Sequence, residues 1–273
     1  MRARIMGASI LAAAAGLGLA SPARALVIVT DEWPPLEFSA PGGPRGLSVE
    51  VVQEILARQH SKVPIQMVPW ARGLHLLKTQ PDVLLFSVSG TPERKRNFTL
   101  LGPLAEYQTV FYARKDRHRE VRTVDDARKV KRVGVYAGTV FMDFLLKHGF
   151  KNLDVSATPK IAAHKLLVGR IDLWLDADFS MPWLLNEIGH RPTELAPRVV
   201  VDRTGVYLAF SRGTSAATVH AWHTTLQAMR RDGTLARIHR KWLPGKTPPS
   251  HIELTGLAPG SPMPTHAEAL GGS

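Results

Sequence analysis

The chain has 273 residues, a formal net charge of +12 and no cysteine. The missing cysteines exclude disulfides and thiol chemistry, so ordinary hydrophobic cores must hold the fold. Nucleic acid is a common partner of so basic a protein, but an export signal and the lack of aromatic residues interleaved with the basic ones argue against it. We expect the partners to be acidic small molecules or an anionic membrane surface instead. The alternative is that the basic surface is simply solvated and binds no partner.

Residues 1–25 have the pattern of a signal peptide. Arg2 and Arg4 precede an apolar run from residue 5 to about residue 20, and residues 23–25 form a small-x-small cleavage site. The run is shorter than the roughly 20 residues of a membrane-spanning helix. The small-x-small site predicts cleavage after Ala25. Because no cysteine is available for lipidation, we expect the product to be a soluble monomer in the periplasm.

From residue 26 onward, apolar runs typical of strands alternate with amphipathic helical patterns. The predicted strands cover residues 26–30, 63–68, 83–87, 108–113, 132–136, 153–156, 171–175 and 206–210, and the main predicted helices cover residues 47–58, 71–79, 141–147, 159–168 and 217–242, the last broken near 232–233. This repeated βαβ order predicts an α/β protein of two lobes, with mostly parallel sheets flanked by helices. Pro, Gly, Ser and Thr dominate from residue 244 onward and predict a disordered tail over 244–273.

Residues 87–94 form the most informative local motif. An apolar run ends in small hydroxyl residues, Thr91 is a good helix N-cap, and Pro92 suits the first helical position. Free backbone N–H groups at such a helix start, together with the Arg94 guanidinium, favour a carboxylate. The alternative is an ordinary capped helix whose arginine faces water.

Seven segments in order carry a family resemblance, namely residues 30–35, 46–50, 68–72, 87–94, 132–139, 169–172 and 231–235. Together they resemble the type II periplasmic solute-binding proteins of ABC transporters, specifically bacterial solute-binding protein family 3, the polar amino acid binding type. The resemblance covers about residues 26–243. It implies a ligand cleft between two lobes, with lobe 1 formed by residues 26–113 and 207–243 and lobe 2 by residues 114–206. The crossovers between the lobes are expected near 113–116 and 202–207.

The resemblance also implies roles for individual residues. Arg94 matches the arginine that binds a ligand α-carboxylate, and Ser87 and Ser89 match its polar neighbours. The other matching positions are an acid of the first lobe, two aromatic residues that sandwich the ligand, and a helix-start loop of the second lobe: Asp31, Trp33, Trp70 and Thr139. The two tryptophans could instead be simple core residues.

Two positions depart from the family pattern. The aspartate that usually binds an α-ammonium group falls on Ala177, and Val140 stands where a hydroxyl residue is common. Asp176 or Asp178 could take over by a shift of one residue, although strand alternation normally points adjacent side chains to opposite faces. The class of ligand therefore stays open between amino acids and related carboxylates.

The resemblance implies a non-enzymatic protein that captures a small polar carboxylate and delivers it to an ABC transporter permease. We expect no cofactor and no metal, because His220 and His223 lie one helical turn apart without a third candidate ligand nearby. Two alternatives remain. One is an exported enzyme on the same scaffold, similar to cyclohexadienyl or arogenate dehydratases, and the other is the ligand-sensing domain of a membrane kinase.

Overall fold

A computed structural model describes residues 25–117 and 120–263. The predicted signal peptide, apart from Ala25, and the last ten residues of the predicted tail lie outside the described residues. The strands are β1 (Val27–Thr30), β2 (Phe38–Ala40), β3 (Gly43–Arg45), β4 (Ile65–Met67), β5 (Val83–Ser89), β6 (Thr99–Arg114), β7 (Val133–Tyr136), β8 (Leu153–Ser156), β9 (Leu173–Ala177), β10 (Leu195–Phe210) and β11 (Glu253–Gly256). The helices are α1 (Leu47–Arg58), α2 (Trp70–Thr79), α3 (Pro92–Asn97), α4 (Val124–Lys129), α5 (Val140–Lys147), α6 (Pro159–Leu167), α7 (Ser180–Glu187), α8 (Ala216–Arg231) and α9 (Thr234–Trp242).

One sheet runs through the whole protein. Its strand order is β4-β1-β5-β10-β6-β9-β7-β8, and β11 adds to β6. The two ends of the sheet are parallel, because β1 pairs with β4 and β5, and β7 pairs with β8 and β9. The middle is antiparallel, formed by β10 with β5 and β6 and by β6 with β9. The predicted α/β fold of two mostly parallel units is confirmed, with antiparallel strands joining them.

The two long strands β6 and β10 pass from one parallel unit to the other. Residues 99–102 of β6 pair with β11, and residues 99–105 of β6 lie opposite residues 206–210 of β10, which also pair with β5. Residues 109–112 of β6 instead pair with β9. The change of partner therefore falls at residues 106–108, which lie opposite residues 203–205. We infer that the crossovers lie there. The sequence interpretation put the first crossover at 113–116, since a continuous β pattern does not show where a strand changes partners.

We call the part that contains β1–β5, α1–α3, α8 and α9 the first lobe, and the part that contains β7–β9 and α4–α7 the second lobe. In the first lobe, α1 buries the side chains of Val51, Val52 and Ile55 on one face, which is the spacing expected of an amphipathic helix. The observed bounds of α1 equal the predicted ones. The second lobe repeats this arrangement, with buried Leu145 on α5 and Leu166 on α6.

The prediction of disorder from residue 244 onward is wrong for residues 244–263. Strand β11 pairs antiparallel with residues 99–102 of β6, and Ile252 just before it is buried. A polar, proline-rich composition predicts that a segment lacks its own core, but it does not exclude addition to an existing sheet edge. Such addition needs only backbone N–H and C=O groups.

Candidate ligand site between the lobes

A small cavity of about 40 Å³ lies between the two lobes. Seven of the residues predicted to form the site line it, and they come from both lobes: Asp31, Trp33, Trp70, Ser87, Ser89, Arg94 and Thr139. We call this space the central cavity. Two wider clefts flank it, of about 540 Å³ and 760 Å³, and the side chain of Trp70 lines all three spaces.

Arg94 reaches the central cavity from the first helical turn of α3. The side chain of Thr91 caps this helix by accepting from the backbone N–H of Arg94 at 3.3 Å, as the sequence predicted. The guanidinium donates to the backbone carbonyl of Ser89 at 3.2 Å and lies 4.8 Å from the centre of the Trp70 ring. Burial lowers the pKa of Arg94, and no carboxylate of the described residues forms an ion pair with it. Most of its donors are therefore available for an anion.

The end of β5 is shaped to present two serines. The pairing of β5 with β10 shifts between Tyr207 and Ala209, and Ser87 takes a left-handed backbone conformation with φ of 61°. Irregularities of this kind re-aim side chains and are typical of functional sites. The Ser89 hydroxyl bonds to the Tyr107 hydroxyl at 2.8 Å, and the Ser87 hydroxyl lies in hydrogen-bond contact with the buried carboxyl group of Glu37.

Asp31 supplies the only carboxyl group among the residues that line the central cavity, and Arg94 the only cation. Burial raises the pKa of Asp31 to about 6, and the neighbouring charge of Glu32 adds to the rise. The Arg94 charge works in the opposite direction. A cation bound beside Asp31 would favour its ionised form and restore the charge that burial opposes.

The second lobe contributes a helix start and an apolar wall. Thr139 caps α5 by accepting from the backbone N–H of Met142 at 3.3 Å, and its hydroxyl donates to the Tyr136 carbonyl at 3.0 Å. Tyr136, Gly138, Val140 and Phe141 also line the central cavity. Val140 was noted in the sequence only as a departure from the family pattern, and the other three were missed, although the carboxyl end of a parallel strand, here β7, is where ligands usually bind.

Trp33 joins the lobes through an aromatic cluster. Its ring lies 5.4 Å from Tyr107, 5.2 Å from Phe179 and 6.2 Å from Phe141, measured between ring centres. We call these four residues the aromatic cluster. Trp33 belongs to the first lobe, whereas Phe141 and Phe179 belong to the second. Trp33 is thus both a buried packing residue and a wall of the central cavity.

Asp176 and Asp178 do not reach the central cavity. Asp176 is fully buried, accepts from the backbone N–H of Ala177 at 2.6 Å, and has its pKa raised to about 8 by burial. Asp178 instead pairs with Lys246 at 2.6 Å and accepts from the backbone N–H of Gln108 at 3.2 Å. The idea that either acid replaces the missing aspartate at Ala177 therefore finds no geometric support.

The described residues contain neither a group suited to a metal ion nor a membrane-spanning helix. Within residues 25–117 and 120–263, no three His, Asp or Glu side chains come together in a group that could hold a metal ion. No helix in this part of the chain combines the length and the apolar character that crossing a membrane requires.

Comparison with known proteins gives the family. The family model of the bacterial extracellular solute-binding proteins, family 3, matches residues 26–245. One relative is the arginine-binding periplasmic protein of Mannheimia haemolytica, which is 24% identical over 241 residues, 85% of this chain and 96% of the relative.

Solved structures share the fold. A histidine kinase sensor domain with similarity to periplasmic binding proteins matches with a TM-score of 0.73 and 23% identity, over 82% of this chain and 98% of the other. An ancestral amino-acid-binding protein, a precursor of cyclohexadienyl dehydratase, matches with a TM-score of 0.68 and 18% identity, over 80% and 94%. With the family match across both lobes, the chain belongs to the bacterial extracellular solute-binding proteins, family 3.

Proposed function

We propose that the protein captures an amino acid or a related small carboxylate in the periplasm and delivers it to an ABC transporter permease. The observation that carries this proposal is the central cavity, where an unpaired arginine, two serines and a helix start from opposite lobes converge. Hinge closure at residues 106–108 and 203–205 would bring these groups around the ligand.

The size of the central cavity supports binding by closure. Ligand pockets usually measure roughly 300 Å³ or more, whereas this cavity measures about 40 Å³. The ligand therefore needs the lobes to separate, or it extends from the central cavity into one of the flanking clefts. The 760 Å³ cleft contains Asp31, Glu32 and the ring of Trp183, so it suits a cationic or apolar extension.

The charges of the central cavity favour one orientation of the ligand. Its carboxylate would face Arg94, and a cationic group, where the ligand has one, would face Asp31 rather than the second lobe. The acids on either side of Ala177 have other partners, and among the described residues no carboxyl group of the second lobe lines the central cavity to meet an α-ammonium group.

A thermal-shift panel tests this function. It contains L-amino acids, the amines that remain after their decarboxylation, and the acids that lack the α-ammonium group. A ligand at a hundredfold excess over its Kd stabilises the protein by about 2.7 kcal/mol, so a clear rise in melting temperature is expected for one or more carboxylates. An equal rise with the matched amine would contradict the proposed role of Arg94.

Delivery needs a separate experiment. The liganded protein should stimulate ATP hydrolysis by its permease complex in vesicles, and the ligand-free protein should stimulate it less. Stimulation of a membrane kinase instead would support the sensor alternative, which the fold shared with a kinase sensor domain makes relevant.

The enzyme alternative has one specific feature in its favour. Asp31 lines the central cavity with its pKa raised to about 6, so near neutral pH a fraction of it carries a proton that it could donate. The sequence contains no motif that pairs a nucleophile with a base, however. We expect the protein to leave prephenate and arogenate unchanged, as followed by absorbance. Turnover that disappears in Asp31→Asn would establish the dehydratase activity instead.

A further inference from the structure

Three polar side chains form a buried group directly behind the central cavity. Glu37 and Ser48 are fully buried, and Ser87 is only 3% exposed. The Ser87 hydroxyl contacts both of the others: it lies against one carboxylate oxygen of Glu37 and 2.8 Å from the Ser48 hydroxyl. Of the three, only Ser87 lines the central cavity.

Counting hydrogens shows that Glu37 controls what Ser87 can offer. With Glu37 ionised, the group has only the two hydroxyl hydrogens of the serines, and the carboxylate attracts a hydrogen bond from each serine. Ser87 then donates to Glu37, so it can only accept from a ligand. With Glu37 protonated, the group gains a third hydrogen. Glu37 and Ser48 can both donate to Ser87, which leaves the Ser87 hydrogen free for the cavity.

The surroundings favour the protonated state of Glu37. Burial raises its pKa well above the ordinary value, and the negative charges of Asp31 and Glu32 raise it further. The bonds from Ser87 and Ser48 act in the opposite direction but are weaker. The other titratable or charged groups nearby are Tyr136 and Arg94, the latter on the far side of Asp31. The second carboxyl oxygen of Glu37 has no hydrogen-bond partner among the described residues.

We propose that Glu37 is a positioning residue that donates a hydrogen bond to Ser87 and thereby makes the Ser87 hydroxyl a donor toward the central cavity. The ligand group that this donor recognises is a carboxylate, the same group that the proposed function assigns to Arg94. The identity of the ligand group rests on the proposed function, but the protonation state of Glu37 can be measured without a ligand.

Infrared difference spectroscopy of the ligand-free protein provides this measurement. The spectrum of the wild type minus that of Glu37→Gln at neutral pH should contain the carbonyl band of one protonated carboxylic acid. In a Ser87→Ala background the same difference band should shift to higher frequency, because the acid loses its acceptor. A missing band, or a band that Ser87→Ala leaves unmoved, would overturn the proposal whatever the protein binds.

The pH profile of binding is the second test, with L-arginine as probe and agmatine as the matched compound that lacks the carboxylate. Above the pKa of Glu37 the wild type loses the Ser87 donor, so its affinity for L-arginine should fall by about tenfold or more as the pH rises. Glu37→Gln keeps a donor to Ser87 at every pH and should lack this fall. Asp176→Asn changes another buried acid, one that has no hydrogen bond to Ser87 and does not line the central cavity, and it should keep the fall.

The two tests separate the two claims. If L-arginine does not bind, the pH profile is measured with the carboxylate that the thermal-shift panel finds; if no carboxylate binds, the proposed function is wrong, while the infrared bands still decide on Glu37. If L-arginine binds with the same pH profile in the wild type and in Glu37→Gln, the positioning role is wrong although the binding function stands.

Discussion

Arg94→Ala should weaken binding of the ligand at least tenfold, and by up to several hundredfold or more. Truncation leaves the ligand carboxylate buried without its charged partner, which costs roughly 2 to 5 kcal/mol, and each 1.4 kcal/mol corresponds to about tenfold in affinity. The half-buried guanidinium has free donors, so little of this loss can be recovered from other contacts. Isothermal calorimetry with the ligand found in the panel measures the effect.

Two variants serve as controls for Arg94→Ala. Arg94→Lys should recover only part of the affinity, since an ammonium group cannot form the two parallel bonds of a guanidinium. Arg96→Ala removes the same charge from an exposed position of α3 and should cost little. Equal affinity of Arg94→Ala and the wild type would refute the assignment of the carboxylate to Arg94.

Trp33→Ala should lower the free energy of unfolding by about 3 to 5 kcal/mol. The ring is 8% exposed and packs edge-on against Tyr107 and Phe141, so its removal leaves a hole in the aromatic cluster that joins the lobes. Urea denaturation followed by circular dichroism gives the change in stability.

Trp183→Ala is the matched control for Trp33→Ala. This tryptophan is half-buried and packs against Phe38 and Trp242 at the edge of the second lobe. Water can fill part of the space that the Trp183 ring leaves, so the loss of unfolding free energy should be clearly smaller than for Trp33→Ala. A larger loss for Trp183→Ala than for Trp33→Ala would contradict the prediction that the hole in the aromatic cluster is the costlier one.

Local signals in the sequence predicted the local structure well. The bounds of α1 follow from its apolar periodicity, and the cap at Thr91 follows from a hydroxyl residue placed before a helical pattern. The grouping of Arg94 with Ser87 and Ser89 needs only one short motif. These features depend on residues that are close in sequence, which is why the pattern was sufficient.

Features that depend on distant partners were not accessible in the same way. The change of partner along β6, the addition of β11 to it, and the pairing of Asp178 with Lys246 each join segments far apart in the chain. Glu37 was missed for the same reason. Its sequence neighbours give no sign that its carboxyl group lies behind Ser87, fifty positions further on.

Asp31 and Arg94, the two charged residues of the central cavity, both belong to the first lobe, and this has a kinetic consequence. The open first lobe already presents both charges of the central cavity, so the association rate constant should depend mainly on the first lobe and on ionic strength. The second lobe adds hydroxyl groups, a helix start and an apolar wall. Its residues should therefore set how long the ligand stays, and substitutions there should change the residence time rather than the encounter.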